Sequence, residues 1–327
     1  MDLLRGRLRA ALDGGPALAV PTSGSTGEPK SVLLPGSALL ASAAATHARL
    51  GGPGTWLLAL PTTHIAGIQV LVRSLVAGTT PAELAGPFRG KSFTEAAADV
   101  LAADGPRYTA LVPTQLTRVL EWGGDALAAL RSFDAVLIGG AALAPPVLAA
   151  AREAGVRVVR TYGMTETAGG CVYDGLPLDG VSVEITAAGL VRLGGPTVAH
   201  GYAGSAPFGG WFTTSDLGEL VDGRLQVLGR ADDLINTGGE KVAPAAVEAV
   251  LLAQPGVRAV CVVGVPDPEW GQRVAALVVG ALSQDALAAV RAALGAAAVP
   301  RRVVTVDALP EKAPGKVDRA AAAALAG

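Results

Sequence analysis

The sequence predicts an α/β fold in two parts, a large N-terminal α/β domain followed by a small α+β domain, and three observations carry that expectation. Residues 55–60, 108–112, 135–138 and 156–160 are runs rich in Val, Leu and Ile, each followed by turn residues and an Ala-rich helical pattern. Short apolar runs of this kind are what strands buried on both faces look like. From about residue 181 the texture changes, and residues 181–185, 190–193, 218–221 and 225–228 read as short strands separated by turns, the signature of an antiparallel subregion. After Gly229 the pattern resets: residues 244–253 and 284–294 read as helices, and residues 257–265 and 274–279 as strands. The polar stretch 229–233, with two acidic residues beside Gly-Arg, is poor core and is taken as the boundary. The chain is therefore expected to divide into residues 1–230 and residues 231–327. No internal repeat or low-complexity tail is present.

At 327 residues the chain has room for two domains, and with half of its residues hydrophobic it can bury a sizeable core. A net charge of -2 leaves no basic surplus for a phosphodiester backbone, so nucleic acid is not an expected partner. The uncharged run 135–151 is broken by Gly139, Gly140, Pro145 and Pro146, which suits a strand, turn and helix better than a membrane span. The first residues show charges and no apolar signal-peptide region, so a cytoplasmic protein is expected. Cys171 and Cys261 lack metal-ligand spacing and read as reduced thiols, and His47, His64 and His200 are too scattered for a zinc site or a triad.

Lysine usage is more informative. Against 21 arginines there are five lysines, Lys30, Lys91, Lys241, Lys312 and Lys316, and three of them fall in Gly-rich motifs. The strongest local motif runs from Thr22 through Ser23, Gly24, Ser25, Thr26 and Gly27 to Lys30. Its hydroxyls, backbone N–H groups and nearby ammonium can all turn toward one anion, which makes a phosphate cradle. The spacing is not that of a GxxxxGK[ST] loop, so an ordinary P-loop NTPase is not expected.

With this loop the chain resembles the adenylate-forming superfamily of acyl-CoA synthetases, adenylation domains and luciferases, and six more motifs follow in that family's order. Gly139-Gly140-Ala141-Ala142-Leu143 looks like the loop that meets adenine, with Gly140 and Ala141 at its centre. In Tyr162-Gly163-Met164-Thr165-Glu166 the resemblance implies that Tyr162 packs on adenine, Thr165 contacts the α-phosphate and Glu166 holds magnesium. It also implies that Asp216 binds the ribose hydroxyls, that Arg230 reaches the nucleotide and that Asp232 is the hinge pivot. Gly238, Gly239 and Glu240 resemble the loop lining the pantetheine path, and Pro314-Gly315-Lys316 resembles the segment that carries the catalytic lysine, here Lys316. ATP, Mg²⁺ and coenzyme A are thereby implied as co-substrates and cofactor. The fold implied is the adenylate-forming one with a shortened N-terminal part, since family members usually carry a hundred or more residues before the phosphate loop.

Residue roles agree with the resemblance. Attack of a carboxylate on the α-phosphorus of ATP concentrates negative charge, so catalysis needs positioned cations more than an acid-base pair. Lys316 and Glu166 answer that need, and no triad is required. The short form resembles the compact o-succinylbenzoate:CoA ligases of menaquinone synthesis. In these, the motif matching Pro61-Thr62-Thr63-His64-Ile65-Ala66-Gly67 lies between the acyl pocket and the thiol tunnel, and Arg73, nine residues after His64, matches a position near the substrate's second carboxylate. Two other readings stay open: another aryl- or acyl-CoA ligase, and a stand-alone adenylation domain loading a carrier protein. The second would normally place an acidic residue in the pocket, and residues 61–69 contain none. A non-catalytic nucleotide-binding regulator would be expected to have lost Lys316 or Glu166. The partners expected are small molecules, and a homo-oligomer stays open.

Overall fold

A computed structural model describes residues 2–22, 30–313 and 316–327. Its centre is a seven-stranded sheet in the spatial order Ala82–Glu83, Thr55–Leu58, Arg107–Leu111, Ala135–Ile138, Val158–Met164, Gly169–Tyr173, Leu176–Pro177. The first five strands are parallel and the last two antiparallel. Successive residues of a strand point to opposite faces, so each parallel strand feeds two cores. Trp56, Tyr108, Ala135 and Leu137 join the helices Gly36–Leu50 and Ile65–Ala77 in one core. Leu57, Leu111, Val136 and Ile138 join the helices Gly90–Leu101, Pro113–Trp122 and Gly124–Arg131 in the other. All four residues of Ala135–Ile138 are buried, as expected of a central strand covered on both sides.

Three of the four predicted parallel strands keep their places within two residues. The run read as 156–160 instead begins at Val158 and continues to Met164. Its extension is set by pairing with Gly169–Tyr173, a strand whose antiparallel return starts well before residue 181. A three-stranded antiparallel sheet, Leu18–Thr22, Lys30–Leu34 and Gly201–Tyr202, was not expected from periodicity. It pairs Thr22 with Lys30, so the phosphate motif becomes the connection of a β-hairpin.

The predicted antiparallel subregion forms a four-stranded sheet in the order Ser182–Ile185, Leu190–Gly194, Trp211–Val221, Arg224–Arg230. Within the stretch 229–233, Gly229 and Arg230 are the end of the last strand, paired with Leu217 and Asp216. Beyond them, Val257–Asp267 and Gly271–Gly280 form a long hairpin, and Arg302–Thr305 adds to it in parallel. The helices Pro244–Leu252 and Gln284–Leu294 cover one face of this sheet and the helix Arg319–Ala326 the other. Cys171 and Cys261 are buried free thiols in strands. No helix among the described residues is long and apolar enough to cross a membrane.

Candidate active site

Open parallel sheets present ligands with the crevice outside the carboxyl ends of their strands. At that edge Ala135–Ile138 ends in Gly139-Gly140, and its parallel neighbour Val158–Met164 carries Thr161 and Tyr162. A Cβ on Gly139 would collide with the Thr161 hydroxyl, and Gly140 is left-handed at φ 81°. Glycine at both positions therefore lets the 139–142 loop lie against the strand bearing Tyr162. Ala141 is exposed beside it.

Tyr162 donates a hydrogen bond to Asp216 Oδ2 at 2.7 Å. The other oxygen, Oδ1, lies 3.7 Å from Arg230 Nη1, because the register pairs Asp216 with Arg230. Thr214 braces the strand here by accepting the Asp216 N–H at 3.0 Å and donating to the Val191 carbonyl at 2.9 Å. Burial, the charge of Asp216 and this hydrogen bond together push the Tyr162 phenol well above its ordinary pKa. Thus Tyr162, Asp216 and Arg230, the residues implied for adenine, ribose and nucleotide contact, are joined by one hydrogen bond and one ion pair.

Just past Met164 the chain makes a single 3-10 turn, Thr165–Thr167. Thr167 pins it by accepting the Met164 N–H at 3.0 Å and donating to the Gly169 carbonyl at 2.9 Å. Ala168, the next residue, is left-handed at φ 52°, and its buried carbonyl accepts from Ser42 Oγ at 3.0 Å and Gln69 Nε2 at 2.7 Å. A non-glycine residue in this conformation needs such support. Glu166 in the turn is 9 % exposed, and its Oε1 accepts the Tyr202 hydroxyl hydrogen at 2.9 Å. Lys30 Nζ lies 5.2 Å from the centre of the same Tyr202 ring.

Among the described residues there is no cluster of three His, Cys, Asp or Glu side chains, so no self-contained metal cage is formed. A nucleotide-bound magnesium needs only one or two protein carboxylates, since phosphates and water supply the rest. Glu166 fits that demand: it is a hard oxygen donor with one oxygen fixed by Tyr202 and the other accepting no hydrogen bond from a described residue.

Behind this turn, Gln69 and Arg73 lie one helical turn apart on Ile65–Ala77. Arg73 is only 3 % exposed, a buried cation rather than a helix-surface one. Its guanidinium lies 5.0 Å from the Trp56 ring and 3.4 Å from the Tyr173 hydroxyl, and no acidic side chain among the described residues pairs with it. Its Nε and the Gln69 Oε1 are buried without a hydrogen-bond partner. Burial pushes the pKa of Arg73 down, and burial followed by the charge of Arg73 does the same to His47. His64 is exposed at the N-cap of the helix, separated from Arg73 by nine residues, about 13 Å of helix axis.

The remaining expected residues sit on the small sheet and at the junction. Gly238 donates its N–H to the Trp270 carbonyl at 3.0 Å, and a Cβ there would run into the Trp270 ring. Gly238, Gly239 and Glu240 are exposed. Asp232 grips Arg230 through two hydrogen bonds of 2.8 and 2.6 Å, which hold its carboxyl below the usual range. Lys316 begins the short strand Lys316–Val317, paired with Glu311–Ala313, and its side chain lies outside the described residues. Ser23, Gly24, Ser25, Thr26 and Gly27 also lie outside them, whereas Thr22 and Lys30 at the ends of the loop are described, with the Thr22 hydroxyl donating to the Lys30 carbonyl at 3.1 Å. Tyr202, Gln69 and Ser42 were not singled out in the sequence.

A large domain ending its parallel sheet in a Tyr-Asp-Arg group and a Glu-bearing turn, with a small α+β domain after it, is the architecture of an adenylate-forming enzyme. The chain belongs to the AMP-binding enzyme family: that family's model matches residues 11–202, and the model of the AMP-binding enzyme C-terminal domain matches residues 246–316. It is 50 % identical, over 98 % of its length and 88 % of the relative's, to a "Probable 2-succinylbenzoate--CoA ligase" of Mycobacterium tuberculosis strain H37Rv. A 2-succinylbenzoate--CoA ligase of Geobacillus kaustophilus is 37 % identical, with 91 % and 67 % of the two chains covered. Among solved structures, the o-succinylbenzoate CoA synthetase of Bacillus subtilis with its acyl-adenylate intermediate superposes with a TM-score of 0.78 at 30 % identity, covering 92 % of this chain and 68 % of that one. An amide bond synthetase of Marinactinospora thermotolerans gives 0.81 at 30 % identity, covering 94 % and 69 %.

Proposed function

We propose that this chain is an ATP-dependent acid:CoA ligase of the cytoplasm that activates o-succinylbenzoate as its acyl-adenylate, releases pyrophosphate and passes the acyl group to coenzyme A. Its relatives of that name, aligned over nearly the whole chain, support the reaction. The observation that carries the choice of acid is Arg73, a buried guanidinium with no acidic partner among the described residues. A dicarboxylate presents one group for activation and a second that needs a cation, and a charge-assisted hydrogen bond to such a cation is among the strong ones.

In this reading residues 1–230 bind ATP and the acid, and residues 231–327 form the small domain that carries Lys316. Tyr162 packs on adenine while its hydroxyl holds Asp216 toward the ribose, and Arg230 reaches the same nucleotide. Thr165, Lys30 and the loop from Thr22 through Ser23, Gly24, Ser25, Thr26 and Gly27 hold the phosphates, with Gly140 and Ala141 along the base. Glu166 would hold Mg²⁺, which when bound neutralises phosphate charge. His64 stands between the acyl site and the thiol path, and Gly238, Gly239 and Glu240 line that path when the small domain turns. A pyrophosphate-release assay over a panel of aryl, succinyl-aryl and fatty acids, with and without CoA, tests the proposal. Turnover is expected to be highest with o-succinylbenzoate and to yield a thioester only with CoA, and preference for a monocarboxylic acid would reject the assigned substrate.

A further inference from the structure

Glu166 belongs to no regular helix or strand that could fix its carboxylate; it sits in a turn of three residues. Both of its ends are nevertheless held by residues 199–202. Its carbonyl accepts the Ala199 N–H at 2.8 Å, and its Oε1 accepts the Tyr202 hydroxyl hydrogen at 2.9 Å. This segment is stitched in turn to the strand that leaves the phosphate loop: His200 N–H donates to the Leu33 carbonyl at 2.9 Å, Tyr202 pairs with Val32, and Ala203 N–H donates to the Ser31 carbonyl at 2.8 Å. The Tyr202 ring is held edge-on against Phe208 with centroids 5.1 Å apart, and Lys30 Nζ lies 5.2 Å from its centre. One rigid aromatic side chain therefore touches both the lysine that closes the phosphate loop and the acid behind it.

We propose that Tyr202 is a positioning residue for magnesium: by holding Oε1 of Glu166 it turns the second carboxylate oxygen toward the nucleotide's metal, in register with the phosphate loop. The inference rests on the reading of Glu166 as the magnesium residue. A phenol suits this role better than a lysine or arginine would, because it donates one hydrogen bond without neutralising the carboxylate that must bind a cation. Outer partners that orient a metal-binding side chain typically contribute about 10- to 100-fold to metal affinity or activity.

Tyr202→Phe tests this, because it keeps the ring against Phe208 and Lys30 and removes only the hydroxyl. Binding of Mn²⁺ in the presence of a non-hydrolysable ATP analogue, followed by electron paramagnetic resonance, is expected to weaken by about 10-fold or more. The Mg²⁺ concentration for half-maximal adenylation should rise in parallel, while KM for ATP at saturating Mg²⁺ and the unfolding temperature stay near those of the parent. Glu166→Gln should show the metal defect by itself, and adding Tyr202→Phe to it should deepen the defect no further. Parental Mn²⁺ affinity in Tyr202→Phe, beside a clear loss in Glu166→Gln, would overturn the role given to Tyr202 and leave Glu166 in place. Parental affinity in Glu166→Gln would instead remove Glu166 from the metal and the proposal with it.

Discussion

Tyr162 and Asp216 meet hydroxyl to carboxylate at 2.7 Å, although 54 residues separate them, and the contact ties the parallel sheet to the antiparallel one. It leaves Asp216 with one oxygen on a phenol and the other 3.7 Å from Arg230. In the proposed role as the ribose acid, Asp216 held this way would not have to find its rotamer when the sugar arrives. Tyr162→Phe keeps a ring for adenine and loses the restraint, so AMP affinity measured by calorimetry is expected to fall about 5- to 10-fold, the scale of one net hydrogen bond. Asp216→Ala removes the acceptor itself and should cost about 10- to 100-fold, as for hydrogen bonds to charged groups. Equal affinities in both variants and the parent would take this pair out of the nucleotide site.

Arg73 makes an opposite pair of effects expected from one substitution. A buried cation without an acidic partner is costly to the fold, and replacing buried charge by an apolar side chain of similar volume is often neutral or stabilising by about 1 to 4 kcal/mol. Arg73→Met should therefore unfold at a temperature no lower than the parent when no substrate is present. Its kcat/KM for o-succinylbenzoate should nonetheless drop about 10- to 100-fold, with KM for ATP little changed. Loss of stability together with unchanged activity would show that Arg73 holds the core and not the acid.

Lys316 lies in the last short hairpin of the chain, on the segment that the family resemblance assigns to catalysis. Lys316→Ala is expected to slow acyl-adenylate formation by roughly 10²-fold or more, the scale for losing one positioned stabilising group. Thioester formation from supplied acyl-adenylate should be far less affected. Comparing the two half-reactions by rapid quench separates these outcomes, and equal losses in both would remove Lys316 from the adenylation step.

What could be read in the sequence, and what could not, follows from the range of the interactions involved. Residues 135–138 announce a central strand because four successive apolar side chains suit burial on both faces, and all four are buried. The end of the strand Val158–Met164 is set by its partner Gly169–Tyr173, and hydrophobicity alone placed it four residues short. Candidate site residues that belong to compact motifs, such as Tyr162, Glu166 and Asp216, could be named in order. Tyr202, Gln69 and Ser42 could not, because their contacts with Glu166 and Ala168 span 36, 99 and 126 residues and leave no local pattern. Arg73 could be named from its spacing to His64, but its burial could not, since an arginine in a helix is usually exposed.

The junction after Arg230 makes the last expected outcome a matter of backbone torsion. Ala231 is tied back to the strand Trp211–Val221, donating its N–H to the Ser215 carbonyl at 2.8 Å. Asp233 is tied forward, with its carboxylate 3.3 Å from Arg319 Nε, while Arg319 Nη2 lies 2.9 Å from Glu248. Asp232 stands between these anchors, at the position proposed for the hinge. Proline at 232 fixes φ near -65° and removes the N–H, but it also removes the carboxylate that forks onto Arg230. Asp232→Ala separates the two effects, because it loses the fork and keeps the torsional freedom. Both half-reactions should survive in Asp232→Ala within a few-fold. In Asp232→Pro, pyrophosphate release in a single turnover should persist while CoA-thioester formation falls by orders of magnitude, the expectation if the locked arrangement is the adenylating one. Labelled ATP with rapid quench follows the adenylate, and chromatography follows the thioester. Normal thioester formation in the proline variant would show that the pivot lies elsewhere, and equal damage in both variants would assign the effect to the Arg230 fork instead of the backbone.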